Sequence, residues 1–325
     1  PDEEAHLTGE EIHKRLDEIE HIHTLYSPAK LGLAAALACG AFTFLLGGGP
    51  VEMLFAFIAA GAGNVIRTKL IKHHYTLFLN IAASISAACL IYAILLKLAI
   101  VLFNIPSVHE AGYICSMLFI IPGFPFITSG IDLAKLDLRS GLERLTYSVI
   151  IVLVATMFAW IMALLLNLQP LDFTTLQIDS MTHLFLRLIA SFCGVFGFSI
   201  MFNSSVPMAA TAALIGAVAN TLRLELVDFT SMPAAPAAFI GALCAGLLST
   251  IIKHNNGYPR ISLTVPSIVI MVPGLYLYRA IYNFGIMSLT DAVSWFTSAV
   301  MIITALPLGL IFARILTDKT FRYCT

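Results

Sequence analysis

Met117-Leu118-Phe119-Ile120-Ile121-Pro122-Gly123-Phe124-Pro125-Phe126 and Ile268-Val269-Ile270-Met271-Val272-Pro273-Gly274-Leu275-Tyr276-Leu277 are two copies of one pattern, set 151 residues apart. Each copy lies in an apolar stretch long enough to cross a membrane. Pro lacks an amide donor and clashes with the preceding turn, while Gly adds backbone freedom, so a Pro-Gly pair inside a helix is destabilising. Internal repeats whose matching segments are both interrupted in this way point to a transporter with a substrate site near the bilayer midplane.

Composition sets the class. Charged residues make up 11% of the chain and hydrophobic residues 59%, and the mean hydropathy is +0.90. That is a polytopic membrane protein rather than a soluble domain. The net charge of -1 gives no basis for a nucleic-acid partner, because in such a chain the placement of charges matters more than their sum. The six cysteines, Cys39, Cys89, Cys115, Cys193, Cys244 and Cys324, are scattered and form no C-x-x-C pair. They read as small buried apolar residues, with no metal site, redox centre or disulfide framework.

Apolar stretches fall at 30–46, 50–66, 76–97, 112–133 and 143–167, and again at 183–202, 206–222, 233–252, 263–284 and 291–316. A spanning helix needs ~20 apolar residues, so ten spans are expected in an all-α fold. The two sets of five match beyond Pro-Gly. Cys39-Gly40-Ala41-Phe42-Thr43-Phe44 aligns with Cys193-Gly194-Val195-Phe196-Gly197-Phe198, and Asn64 with Arg67 recurs as Asn220 with Arg223. An odd number of spans per half makes the halves inverted repeats. The expected division is a cytoplasmic amphipathic helix at 1–27, a first five-helix repeat at 28–167 and a second at 168–325. Of the 18 Lys and Arg residues, 14 fall on the side that holds both termini, leaving Lys97, Arg187, Arg223 and Arg279. The positive-inside bias then places both termini in the cytoplasm of a cell whose inner (plasma) membrane the chain crosses many times.

Ahead of the first span, Thr8-Gly9-Glu10-Glu11 has the capping-box pattern, and Ile12, Leu16, Ile19 and His23 follow at helical spacing. A short amphipathic helix is expected. Glu20-His21-Ile22-His23 reads as its solvated end, since no third metal ligand is placed by sequence. There is no signal peptide and the chain starts at Pro1, so a preceding segment is expected.

The run Gly9-Glu10-Glu11-Ile12-His13-Lys14-Arg15-Leu16-Asp17-Glu18-Ile19, the segment from Ile121-Pro122-Gly123 to Gly130-Ile131-Asp132-Leu133, and Pro266-Ser267 leading to Pro273-Gly274 resemble the threonine/serine exporter family. The resemblance covers nearly the whole chain. It implies two fused parts of about five spans each, which some bacteria encode as separate proteins linked to succinate export. It also implies export coupled to the proton-motive force, and a soluble, hydrolase-like region ahead of the first span that this sequence does not include.

Pro122, Gly123, Pro273 and Gly274 are the expected frame of the substrate site. Breaks at membrane depth free backbone groups, and a half-helix starting there turns its positive end toward a carboxylate. The same pairs also read as kinks packed by neighbours. Thr128, Ser129, Ser116 and Ser267 offer hydroxyls for a hydroxy-amino acid, or bonds to their own helix backbone. Asp132 suits either the substrate ammonium or the coupling proton, or else an interfacial ion pair with Lys135 or Arg139. Arg279, among Tyr276, Tyr278 and Tyr282, suits a carboxylate or a snorkelling position in an outer aromatic belt. Arg187 reads as an interface anchor, and Asn64, Asn80 and Asn220 as helix-bridging groups.

The expected function is secondary transport of threonine, serine or a similar small amino acid outward against protons. A dicarboxylate of the succinate type is the alternative substrate. The expected partners are the small-molecule substrate, protons and the lipid bilayer; a homo-oligomer is compatible, and no cofactor is expected. A membrane-embedded enzyme is the reading from another class, but neither H-E-x-x-H nor G-x-S-x-G occurs. A channel would need a filter loop or charged ring, and none is evident.

Overall fold

The structure is a computed structural model that describes residues 8–20, 25–173, 176, 178–256 and 258–322. The amphipathic segment forms α1 (Gly9–Glu20). Its capping box is made: the Thr8 amide donates to Glu11 Oε2 at 2.9 Å and the Glu11 amide to Thr8 Oγ1 at 3.4 Å. The Thr8 amide and hydroxyl together hold the Glu11 carboxyl below the usual carboxylate range. His21 and His23 lie outside the described residues.

Helices α2 (Pro28–Leu45), α3 (Pro50–Lys72) and α4 (Leu77–Phe103) follow. Next come the short α5 (Gly112–Ser116), α6 (Gly123–Ala134) and the long α7 (Leu138–Leu166). The second half repeats the order with α8 (Ser180–Met201), α9 (Val206–Thr230), α10 (Ala234–Asn256), α11 (Arg260–Val269), α12 (Gly274–Gly285) and α13 (Leu289–Thr317), closed by α14 (Lys319–Arg322). Among the described residues, eight helices are long and apolar enough to span a membrane, and two helix pairs, bent by 55° and 51° at the Pro-Gly breaks, pass the same test together. With each bent pair counted as one crossing, the ten spans expected from the sequence are present in an all-α fold.

The two halves are built alike. α2 packs on α3 as α8 packs on α9, α4 on α7 as α10 on α13, and α6 on α7 as α12 on α13. The backbone agrees turn by turn. Leu136 and Met287 take the left-handed region at φ 63° and 62°, and the Leu136 amide bonds Leu133 as that of Met287 bonds Phe284. Inversion is visible where the halves meet. Ala34, in the first half of α2, packs on Ile200 near the end of α8, whereas Ala41 and Phe44, later in α2, pack on Ala190 at the middle of α8. The helices are therefore antiparallel. Small residues permit this close approach, with Gly197 set directly against the Ala34 carbonyl and Ala38.

That contact corrects one match read from the sequence. The turn after α2 has Leu46 bonding Phe42 and Gly47 at φ 98°; the turn after α8 has Phe202 bonding Phe198 and Asn203 at φ 63°. The structural counterpart of Phe42 is thus Phe198, not Phe196. A slip of two residues rotates a helix position by about 200°, and Cys39 is accordingly fully buried while Cys193 is only half-buried. The match of Asn64 and Arg67 with Asn220 and Arg223 keeps the corrected register. Two helices also run further than their apolar stretches: α3 carries Arg67 inside its length, and α9 carries Arg223, Glu225 and Asp228.

Candidate functional site

Both breaks have the same local geometry. Pro122 (φ -80°, ψ 62°) and Pro273 (φ -82°, ψ 56°) each occupy the centre of an inverse γ-turn. The turns are closed by Gly123 N to Ile121 O at 2.8 Å and Gly274 N to Val272 O at 2.9 Å. The chain re-enters a helix at once, with Phe126 N bonding Pro122 O and Leu277 N bonding Pro273 O. Because Pro donates no amide bond and Gly carries no side chain, the sequence breaks each span sharply here.

The breaks lie against each other. A Cβ added to Gly123 would meet Val269 Cγ2 at 2.6 Å and Val272 Cγ2 at 3.3 Å; one added to Gly274 would meet Leu118 Cδ2 at 2.9 Å and Ile121 Cγ1 at 3.3 Å. The partners occupy the same positions, five and two residues before the opposite Gly. Between them, Phe42 and Phe198 close a cavity of only about 10 Å³, room for at most one water.

The two sides of this crossing differ. Away from the termini, Tyr113 of α5 and Tyr278 of α12, both fully buried, face each other with hydroxyls 2.6 Å apart. Toward the termini, a cavity of about 510 Å³ runs from Phe124, Pro125 and Thr128 to Glu143, Arg144, Tyr147 and Ile261. The crossing is therefore closed by the tyrosine pair on one side and flanked on the other by an open, mainly apolar groove that carries Thr128, Glu143 and Arg144.

Of the expected site residues, Pro122, Gly123, Pro273 and Gly274 come together. Thr128 lines the cavity, with its hydroxyl bonded to Phe124 O at 3.1 Å and Pro125 O at 3.2 Å. Ser129 donates to Gly141 O of α7 at 2.8 Å, tying α6 to its neighbour. Ser267 donates to Thr264 O at 2.7 Å, as its twin Ser116 donates to Tyr113 O at 2.6 Å. Arg279 stands apart from the crossing. It is buried, pairs with Asp172 Oδ1 at 2.8 Å, donates to Leu171 O at 3.2 Å and lies 4.8 Å above the Trp295 ring. Asp132 pairs with Arg144 at 2.8 Å, while Arg139 turns to Glu143, so neither Lys135 nor Arg139 is its partner. Arg187 is no simple anchor: it is 8% exposed and bridges to Glu225 and Asp228 of α9.

The sequence reading missed Glu52. Its side chain is fully buried, accepts from the Gly49 amide at 3.0 Å and meets His109 Nδ1 at 2.7 Å, while the Tyr92 hydroxyl bonds the His109 carbonyl. A carboxylate three residues into an apolar stretch was the available signal. Among the described residues no group of His, Cys, Asp and Glu could hold a metal ion.

Residues 3–167 match the family model described as "Putative threonine/serine exporter", and residues 187–316 match the model described as "Threonine/Serine exporter, ThrE". The chain is similar to the "Probable succinate transporter subunit YjjP" of Escherichia coli (strain K12), 29% identical over 153 residues, or 47% of this chain and 57% of that relative. The match thus spans little more than half of the relative's length. No solved structure matches the chain.

Proposed function

The chain belongs to the threonine/serine exporter family, and from that premise we propose that it moves threonine, serine or a similar small amino acid out of the cell in exchange for protons. The carrying observation is the reciprocal packing of the Gly123 and Gly274 breaks between inverted repeats. Rocking one repeat against the other would open the crossing to one face at a time. In this reading the cavity at Thr128 is the approach from the cytoplasm, and the Tyr113–Tyr278 contact is the closed outer gate. Ser129 and Ser267 turn their hydroxyls to the substrate when the repeats separate, and Arg279 receives the carboxylate on the outward path by releasing Asp172. Asp132 takes up the coupling proton as it leaves Arg144. The termini and the positively charged loops face the cytoplasm.

The experiment is counterflow in proteoliposomes with labelled threonine, serine and succinate under an imposed pH gradient. Threonine or serine uptake that follows the gradient supports the reading. Uptake of succinate alone would move the substrate to a dicarboxylate, the second reading, which the similarity to a protein named as a succinate transporter subunit favours.

A further inference from the structure

Asn64 and Arg67 on α3, and Asn220 and Arg223 on α9, are the same pair at equivalent positions of the two repeats, yet they are in different states. Arg223 Nη1 donates to Asn220 Oδ1 at 3.3 Å, and Asn220 Nδ2 donates to Ser191 Oγ at 2.9 Å. Asn64 Nδ2 donates to Leu31 O at 2.8 Å, which sets the orientation of its amide. Its Oδ1 is then buried with no hydrogen-bond partner. The Arg67 guanidinium has no hydrogen bond or ion pair among the described residues. Arg223 also keeps a buried Nε without a partner, because the acids nearest it on α9, Glu225 and Asp228, are held by Arg187.

The unmet Asn64 Oδ1 and Arg223 Nε are buried, whereas Arg67 is only partly buried. A guanidinium inside a span calls for a counter-charge, and an unmet buried acceptor costs about 1–3 kcal/mol. Together they describe one missing ligand: a carboxylate for the arginine and an N–H donor for an oxygen one helical turn away. An α-amino acid carries both groups on a single carbon. A dicarboxylate offers the first and not the second.

We propose that each Asn–Arg pair is a binding station for the zwitterionic end of an α-amino acid, with Arg on the carboxylate and Asn Oδ1 on the ammonium. Arg67 lies five residues from the end of α3 nearest the termini, and Arg223 seven residues from the opposite-facing end of α9. One station therefore serves each side of the crossing. The pair on α9 is closed on itself, and the pair on α3 is open. This deepens the proposed function and rests on its substrate class.

The test is thermal unfolding of the purified full chain in detergent with threonine, serine, threonine methyl ester, N-acetyl-threonine and succinate. Threonine or serine should raise the midpoint, and the ester, which lacks the carboxylate, and succinate and the acetylated form, which lack the charged ammonium, should not. The R67Q/R223Q variant should lose the shift. R67K/R223K, which keeps the charge without the planar fork, should fold and bind about tenfold more weakly; it decides the matter if the Gln variant does not fold. The inference is overturned if the ester or succinate stabilises as well as threonine, if no amino acid stabilises, or if either double variant binds with full affinity. Amino-acid binding without counterflow of threonine or serine would instead sink the proposed function and leave the stations standing.

Discussion

The hydroxyls of Tyr113 and Tyr278 lie 2.6 Å apart, one from each repeat, and both side chains are fully buried. Their rings meet edge to face with centroids 5.9 Å apart, and Tyr278 stacks on Tyr282. Each hydroxyl has the other as its partner, so removal of one strands the second. Tyr113→Phe or Tyr278→Phe should each destabilise the protein by about 1–3 kcal/mol, and the double Phe variant by less than the sum. Unfolding in detergent measures the cycle; strict additivity would mean that the contact is not coupled.

Glu52 joins the start of α3 to the first broken span through Gly49 and His109. Glu52→Ala leaves the His109 ring and a buried amide unmatched and should cost about 3 kcal/mol. Glu52→Gln keeps an acceptor for the Gly49 amide and should cost about 1 kcal/mol. Equal losses for the two variants would show that the carboxylate makes no use of these bonds.

The breaks were readable because Pro and Gly have few other uses within a span, and the repeat of Asn and Arg was readable because polar residues are rare there. The repeat register of α2 was not. Four identities in an apolar run suggested Cys39 with Cys193, but the positive φ shared by Gly47 and Asn203 fixes the match two residues away. The partner of Asp132 was equally hidden: Lys135 and Arg139 are near in sequence, whereas Arg144 reaches it from the next helix. Glu52 is hard to see in the sequence because a single carboxylate barely changes the hydropathy of the stretch around it.

Topology can be checked by labelling single cysteines from one side of sealed vesicles. Positions 72 and 140 should react from the face that holds the termini, and positions 107 and 169 from the other. Ser107 and Ser140 variants labelled from the same face would contradict the inverted arrangement, since one broken span separates them.

Asp132→Asn fixes the neutral form of a carboxyl that now sits 2.8 Å from Arg144. If Asp132 carries the coupling proton, the variant should lose export driven by a pH gradient and retain substrate exchange, which needs no net proton movement. Gradient-driven export at the wild-type rate would return Asp132 to a structural ion pair.

Passage of substrate where the two Pro-Gly breaks meet is tested most directly by Gly123→Leu and Gly274→Leu in the counterflow assay. The site of each Cβ already lies within 3 Å of a side chain of the other repeat, so a larger group must fill the crossing or hold the repeats apart. Both variants should insert into the membrane at wild-type levels and lose at least nine-tenths of transport, about a tenfold effect or 1.4 kcal/mol on the barrier. Transport at the wild-type rate by both would contradict the account and reduce the breaks to packed kinks.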